Sequence, residues 1–219
     1  MNFRDDRVIK SYNLDVIDCF CENVDGFPTL EAVQGVDVKR MCAFTSRRNC
    51  QRENTAVHFF LDDFRFNGTW TQPLRYVDTL KGFECVLTPD FSCYLEMLQP
   101  MQAWNVFRGR AVGQVWQSRG LRVIPTLTWG EPETYEFCFK GLPRGGTVAI
   151  STLGLMDCEE GVQLFKDGVN EAMKQLEPVQ VLAYGKPCEF DARGANVQWF
   201  TNEQVAHLRG LDGRFERRC

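Results

Sequence analysis

The chain contains 219 residues with a formal net charge of -4, and 44% of the residues are hydrophobic and 25% charged. This composition is typical of a folded globular protein and excludes a largely disordered chain, and the length favours a single domain. A negatively charged chain has no overall basic field to attract nucleic acid, so such binding requires a local basic groove.

No apolar run reaches the ~20 residues that a membrane-spanning helix needs. Residues 1–10 are rich in charge and lack the apolar centre of a signal peptide. We therefore expect a cytosolic (cytoplasmic) protein without a membrane partner. The oligomeric state is not indicated.

The first 56 residues form an irregular segment that is rich in cysteine, with one strand expected over 40–46. Four of the ten cysteines of the chain make the only candidate metal set: Cys19, Cys21, Cys42 and Cys50. Their spacing, C-x-C followed by C-x7-C, does not match a recognised zinc pattern. We predict structural thiols, with structural zinc as the minority alternative.

From Val57 onward one unit recurs, in which a short apolar run ends in polar or small residues and an amphipathic helix follows. Strands are predicted over 57–61, 84–87, 121–124, 147–150, 179–184 and 196–200. Helices are predicted over 73–80, 100–119, 131–139, 162–176 and 202–208, and a basic tail covers 209–219.

This alternation of apolar strands and helices predicts an α/β fold with a parallel sheet covered on both faces. We interpret the repeats of 57–208 as a small or incomplete TIM-like (β/α) barrel within one domain, 1–219. An open doubly wound parallel sheet fits the same pattern and stays open as the alternative.

Polar side chains follow the predicted strands, and parallel strands place such residues on one face. The set comprises Asp62, Asp63, Arg65, Asp90, Ser92, Thr128, Trp129, Ser151, Thr152 and Tyr184. Asn105 and Arg108, early in the long helix, are expected on the same side. Taken singly, each residue is better explained by an ordinary turn, cap or ion pair. Together they favour a ligand site.

Carboxylate chemistry fits this set best. The chain has two histidines and neither a P-loop nor a Rossmann glycine motif, which argues against a serine–histidine triad, a multi-histidine metal site and those nucleotide folds. Asp62 or Asp63, with Asp90, would act as nucleophile and general acid or base, or would hold Mg²⁺. Because side chains alternate along an extended chain, at most one of Asp62 and Asp63 faces the site.

The other members of the set are predicted to bind the ligand. Arg65 has the alternative of pairing with Asp63 or Asp90. Trp129, beside a glycine at a strand end, is a candidate stacking surface. The predicted ligand-binding residues are Arg65, Ser92, Asn105, Arg108, Thr128, Trp129, Ser151, Thr152 and Tyr184.

The longest motifs are HFFLDDFRF at 58–66, VLTPDFS at 86–92, QAWNVFRGRAVGQVWQSRG at 102–120 and VIPTLTW at 123–129. They resemble a bacterial and phage family that is catalogued only as a domain of unknown function. The resemblance covers about 57–186. It implies a phage or mobile-element origin, with the host cytoplasm as location. It also places Trp104 and Arg110, besides the acids and Arg108, in family motifs without assigning them roles.

These observations support competing functions. One is an enzyme that uses the strand-end carboxylates on a nucleotide, nucleobase or nucleic acid. Another is a non-catalytic phage accessory protein that binds a small anionic ligand or a host protein. A third is an assembly factor, whose aromatic residues would partly serve an interface.

Overall fold

A computed structural model describes residues 10–17 and 22–201. Its strands are β1 (Asn23–Val24), β2 (Phe27–Pro28), β3 (Arg40–Ala43), β4 (Thr55–His58), β5 (Cys85–Leu87), β6 (Val123–Ile124), β7 (Thr147–Ser151), β8 (Gln180–Tyr184) and β9 (Asn196–Phe200). Its α-helices within 22–201 are α1 (Gly68–Thr71), α2 (Val77–Leu80), α3 (Gln99–Gln117), α4 (Tyr135–Cys138) and α5 (Glu159–Leu176). Turns of 3-10 helix cover Phe44–Ser46, Asp63–Arg65, Pro73–Tyr76 and Pro132–Thr134.

Strands β3 to β9 are parallel to their neighbours and follow one another in chain order. They form a sheet β3-β4-β5-β6 and a sheet β7-β8-β9, which a single parallel bridge between Thr126 and Ala149 links. The predicted α/β class with parallel strands is confirmed. Neither sheet reverses its strand order, as a doubly wound sheet would. Within 22–201 no pairing joins β3 to β9, so a closed barrel is not confirmed.

The helices cover one side of these sheets. Trp116 of α3 is fully buried, lies 5.7 Å from Phe59 between ring centroids and donates to the Pro73 carbonyl at 3.0 Å. Helix α5 packs Phe165 and Val169 into a second apolar cluster with the outward residues of β7 and β8. Since apolar burial is the main favourable term in folding, these contacts fix both long helices on the sheets.

Aromatic rings join the ends of the two sheets on the other side. Tyr184 at the end of β8 lies 4.4 Å from His58 and 5.2 Å from Phe60 between ring centroids. Burial lowers the pKa of His58 to about 4, and its Nδ1 accepts the Phe60 backbone N–H at 3.3 Å. His58 is thus a buried core histidine.

Several observed elements differ from the predicted bounds. The strand predicted over 57–61 ends at His58. Beyond it the chain forms a tight turn, in which the Leu61 N–H donates to the Phe59 carbonyl at 2.7 Å. The helix expected over 131–139 is a 3-10 turn followed by the short α4. The helix predicted over 202–208 and the tail 209–219 lie outside the described residues.

The cysteine-rich segment contains structure that the sequence analysis missed. Strands β1 and β2 form a hairpin whose turn, Asp25-Gly26, has φ angles of 52° and 83°. This left-handed pair is what a two-residue hairpin turn requires, and Asp-Gly supplies it. Cys42 and Cys50 form a disulfide, so the prediction of free thiols is wrong for them, and a zinc site using both is excluded in this oxidised form. Cys19 and Cys21 lie outside the described residues.

No helix in the described part of the chain is long and apolar enough to cross a membrane.

The packing of α5 against Trp129 can be tested by a substitution in which steric overlap and helix propensity change the stability in opposite directions. Replacing Gly168 with Ala is expected to lower the free energy of unfolding by about 1 to 3 kcal/mol, because a methyl group there overlaps the Trp129 indole. Helix propensity alone predicts stabilisation of about 1 kcal/mol. Chemical denaturation measures the difference.

The matched control is Gln163→Ala at an exposed position of the same helix, with an expected change within about 0.5 kcal/mol. A Gly168→Ala protein as stable as the parent would contradict the contact between α5 and Trp129.

Candidate functional site

The two adjacent aspartates after β4 have different roles. Asp63 accepts two hydrogen bonds from Ser92, with Oδ1 3.2 Å from the backbone nitrogen and 2.8 Å from Oγ. Asp62 is exposed and pairs with Arg65 at 3.2 Å. The structure therefore directs Asp63, and not Asp62, towards the neighbouring strand end. Arg65 takes Asp62 as its partner in place of Asp63 or Asp90.

Arg108 completes a polar network with Asp63. Its Nη2 donates to Asn105 Oδ1 at 2.6 Å and its Nη1 to Asn67 Oδ1 at 3.1 Å. The guanidinium lies 3.8 Å from the centre of the Phe91 ring, and Asn105 in turn donates to the Ser92 carbonyl at 2.6 Å. Burial lowers the pKa of Arg108, and the Asp63 charge opposes that effect. Ser92 thus bonds directly to Asp63, and Asn105 and Arg108 continue the network from Ser92.

Asp90 lies next to this network and accepts a hydrogen bond from the Thr128 hydroxyl. Although the residue is partly exposed, burial of the carboxylate raises the pKa of Asp90 to about 7. The Thr128 hydrogen bond opposes this rise, and the charge of Asp63 adds to it. Asp90 therefore changes its protonation state near neutral pH, beside a second carboxylate.

A small cavity of about 20 Å³ lies between the ends of β5 and β6 and helices α3 and α4. It is lined by Thr88, Pro89, Asp90, Phe91, Asn105, Val106, Gly109, Arg110, Thr126, Thr128 and Cys138. A cavity of this size holds about one water molecule. Gly109 lets α3 approach closely, since a Cβ there would lie 2.8 Å from the Pro89 carbonyl oxygen.

Arg110 is a buried cation in the cavity wall. Its guanidinium donates to the Lys140 and Cys138 carbonyls, at the end of α4. Among the described residues no carboxylate forms an ion pair with it, and burial lowers the pKa of Arg110 to about 9. Arg110 belongs to one of the motifs that carry the family resemblance, but its position in the same cavity wall as Asp90 follows only from the docking of α3.

The polar residues at the ends of the second sheet are held by protein contacts. Ser151 Oγ accepts the Leu153 N–H at 3.2 Å, and Thr152 donates to the Lys186 carbonyl at 2.9 Å. The Trp129 indole donates to the Leu164 carbonyl at 3.2 Å and packs against α5. Tyr184 lies in the aromatic core described above. These four residues do not join the Asp63–Asp90 group.

The first sheet thus supplies a site with two carboxylates in different settings. Asp63 is held by hydrogen-bond donors, whereas Asp90 is held by one hydroxyl beside a cavity. Such contrasting environments suit an acid and a base in one reaction. In the described part of the chain no three His, Cys, Asp or Glu side chains group as a metal site. Two carboxylates are nevertheless enough for Mg²⁺ when water and substrate phosphates complete its shell.

Comparisons with known proteins identify a family. A family model described as a domain of unknown function (DUF4417) matches residues 21–200, further along the chain in both directions than the motifs indicated. The chain is 46% identical over 131 residues to the "Gene 1 protein" of Mycobacterium phage L5. It is 43% identical over 131 residues to the "Gene 1 protein" of Mycobacterium phage D29.

These matches cover 60% of this chain and 57% and 48% of the two phage proteins. The chain therefore spans about half the length of the curated relatives it matches. No solved structure matches the chain.

The setting of Asp90 predicts a pH-dependent stability. When folding raises the pKa of an acid, the folded state loses stability as the pH rises. The loss begins near the pKa of the acid in the unfolded chain, about 4, and ends near its pKa in the folded protein. The folded pKa of about 7 places this loss between about pH 4 and 7. Asp90→Asn removes this pH-dependent loss. The free energy of unfolding of the variant is therefore expected to rise relative to that of the parent across that window, by on the order of 2 to 4 kcal/mol at pH 8.

Denaturant titrations of both proteins at pH 5, 6, 7 and 8 measure this gain. A difference that stays constant with pH would show that Asp90 keeps its ordinary pKa.

The two neighbouring aspartates give a matched pair of variants. Asp63→Ala is expected to cost about 1 to 2 kcal/mol, because the Ser92 N–H and hydroxyl lose their acceptor. Asp62→Ala removes only an exposed ion pair, so its effect should stay below about 1 kcal/mol. Equal effects in chemical denaturation would contradict the distinction between the two residues.

Proposed function

The chain belongs to the DUF4417 family of domains of unknown function, and from the geometry of its site we propose that it is an enzyme that acts on a nucleotide, nucleobase or nucleic acid. In this proposal Asp90 transfers the proton and Asp63 is its fixed carboxylate partner. The single observation that carries it is the presence of two carboxylates at neighbouring strand ends, one held by donors and one beside a cavity.

General acid–base catalysis requires a group that both takes up and releases a proton at the working pH. Asp90 meets this requirement because burial raises its pKa to about 7. Thr128 orients the carboxylate, and the adjoining cavity has room for a water molecule. Asp63 is oriented by Ser92, so both carboxylates have fixed positions before substrate binds.

The substrate class rests on the groups around the carboxylates and on the phage relatives. Arg108 and Arg65 supply positive charge for a phosphate. Phe64 is 76% exposed, and the Arg65 guanidinium lies 5.2 Å from its ring centre. An exposed ring beside an arginine suits a base stacked next to its phosphate.

The proposed enzyme has an incomplete barrel fold, uses Mg²⁺ and acts in the host cytoplasm. The sequential strand order and the contact of Tyr184 with His58 support two arcs of an incomplete (β/α) barrel. Mg²⁺ would bind between Asp63 or Asp90 and the substrate phosphates. The similarity to phage proteins supports a place of action in the host cytoplasm.

A non-catalytic binding protein is the alternative, and one observation favours it. Both terminal nitrogens of Arg108 are already engaged by Asn67 and Asn105. Although Arg108 Nε is buried without a hydrogen-bond partner among the described residues, its two terminal nitrogens are thus held by protein groups, as a purely structural or binding role would allow. In that case a small anionic ligand or a host protein would bind without being converted.

A substrate panel with matched variants separates the two functions. The parent is incubated with nucleosides, nucleoside mono-, di- and triphosphates, DNA and RNA, with Mg²⁺ or with EDTA, and products are identified by mass spectrometry. Asp90→Asn and Asp63→Asn are expected to lower any turnover at least about 100-fold, the usual scale of general acid–base catalysis. Asp62→Asn, the adjacent exposed control, should keep parental activity.

Turnover that survives in both the Asp90 and Asp63 variants would contradict the catalytic roles. Ligands that raise the melting temperature of the parent but are recovered unchanged would instead favour the binding protein.

A further inference from the structure

Two cysteines lie directly behind the proposed site and have no part in it. Cys93 follows Ser92, the partner of Asp63, and is half-buried. Cys138 ends α4, is 1% exposed and forms part of the wall of the cavity that Asp90 also lines. Their side chains interact with each other, and Cys93 Sγ also lies 3.9 Å from the Gln102 carbonyl oxygen, which can accept its hydrogen. The two thiols are 45 residues apart in sequence (138 minus 93) and meet only because α4 docks against the loop after β5.

The surroundings of the pair favour a thiolate on Cys138. The hydrogen bond from Cys93 is the main cause that lowers the pKa of Cys138, and the Arg110 charge acts in the same direction while burial opposes both. That hydrogen bond, burial and the charges of Asp90 and Asp63 raise the pKa of Cys93. One sulfur is thus prepared as a nucleophile and the other as a thiol that holds its proton.

Arg110 is placed for this role by geometry. Its guanidinium donates to the Cys138 carbonyl and lines the same cavity as the Cys138 side chain. Since no carboxylate among the described residues pairs with Arg110, its charge is not already neutralised by one. The cavity of about 20 Å³ beside Cys138 and Arg110 has room for about one water-sized group.

We propose that Cys93 and Cys138 form a redox-active dithiol that a hydroperoxide oxidises to a disulfide behind the Asp63–Asp90 site. The Cys138 sulfur attacks one peroxide oxygen, an S–O bond forms and the O–O bond breaks. The oxygen that leaves takes up the proton released by Cys138. The peroxide is reduced by two electrons and Cys138 becomes a sulfenic acid.

Cys93 then attacks the Cys138 sulfur, so that an S–S bond forms and the S–O bond breaks. The departing hydroxide takes the Cys93 proton and leaves as water. Two thiols and one hydrogen peroxide thus give one disulfide and two waters. The disulfide links Cys93, the residue after Ser92, to the end of α4. The oxidation therefore takes place next to the proposed catalytic residues.

The other cysteines provide internal controls. Cys85 is a buried thiol whose pKa burial raises to about 12, so it should resist oxidation. Cys158 is exposed and reports non-specific reaction at the surface. The Cys42–Cys50 disulfide lies elsewhere and is identified by its own peptides.

The test uses the folded full chain, reduced, freed of reductant and treated with one to ten equivalents of hydrogen peroxide. Peptide mapping without reduction is expected to give the Cys93–Cys138 linked peptide before any oxidation of Cys85. In Cys93→Ser the second step is blocked, so a sulfenic-acid reagent such as dimedone should label Cys138. Cys138→Ser should yield neither product.

Oxidation confined to Cys158, or a Cys93–Cys138 link that forms only in denaturant, would overturn the proposal. If Cys93→Ser does not fold, iodoacetamide labelling of the reduced parent replaces it. Cys138 should then react at least about tenfold faster than Cys85 at pH 7, and equal rates would overturn the proposal. None of these measurements depends on an enzymatic activity, so they stand or fall separately from the proposed function.

Discussion

The hydrogen bonds between Asp63 and Ser92 hold together the chain segments that leave two neighbouring strands, and the rest of the site depends on them. Ser92 donates a hydrogen bond to Asp63, and the Ser92 carbonyl accepts one from the Asn105 side chain. The Asn105 side-chain oxygen in turn accepts a hydrogen bond from Arg108. Arg108 closes the network on Asn67, which lies close in sequence to Asp63. Because each polar group satisfies the next, a change at one member is transmitted to the others.

Close docking of α3 on the first sheet creates the second constraint. Pro125 has no N–H to offer a neighbouring strand, and at the next residue the Thr88 hydroxyl oxygen accepts the Thr126 N–H at 2.8 Å. The same strand ends bring Asp90 to Thr128 and leave a water-sized cavity against Arg110. Burial there shifts the pKa of an acid upwards and the pKa values of cations downwards, so charge is costly on both sides of the cavity.

The two sheets contribute unequally, although their sequences look alike. Both have polar residues at the ends of their strands. In the second sheet Ser151 and Thr152 bond to nearby backbone, and Trp129 and Tyr184 pack into apolar clusters. A shared side of a parallel sheet is therefore not sufficient for a site. The deciding factor is whether a second element, here α3, leaves polar groups facing one another.

The sequence by itself determined the α/β class and the positions of α3 and α5, because apolar periodicity is a local property. The order of the strands within the sheets was decided only by the tertiary structure. The sequence also grouped Asp63, Ser92, Asn105 and Arg108 on one face, but it placed Ser151, Thr152 and Tyr184 with them, which the structure holds elsewhere. Only the tertiary structure decided between Asp62 and Asp63, because one residue of offset reverses the side on which a side chain lies. The disulfide Cys42–Cys50, the cavity wall of Asp90 and Arg110, and the meeting of Cys93 with Cys138 likewise depend on contacts between distant segments, which no local pattern encodes.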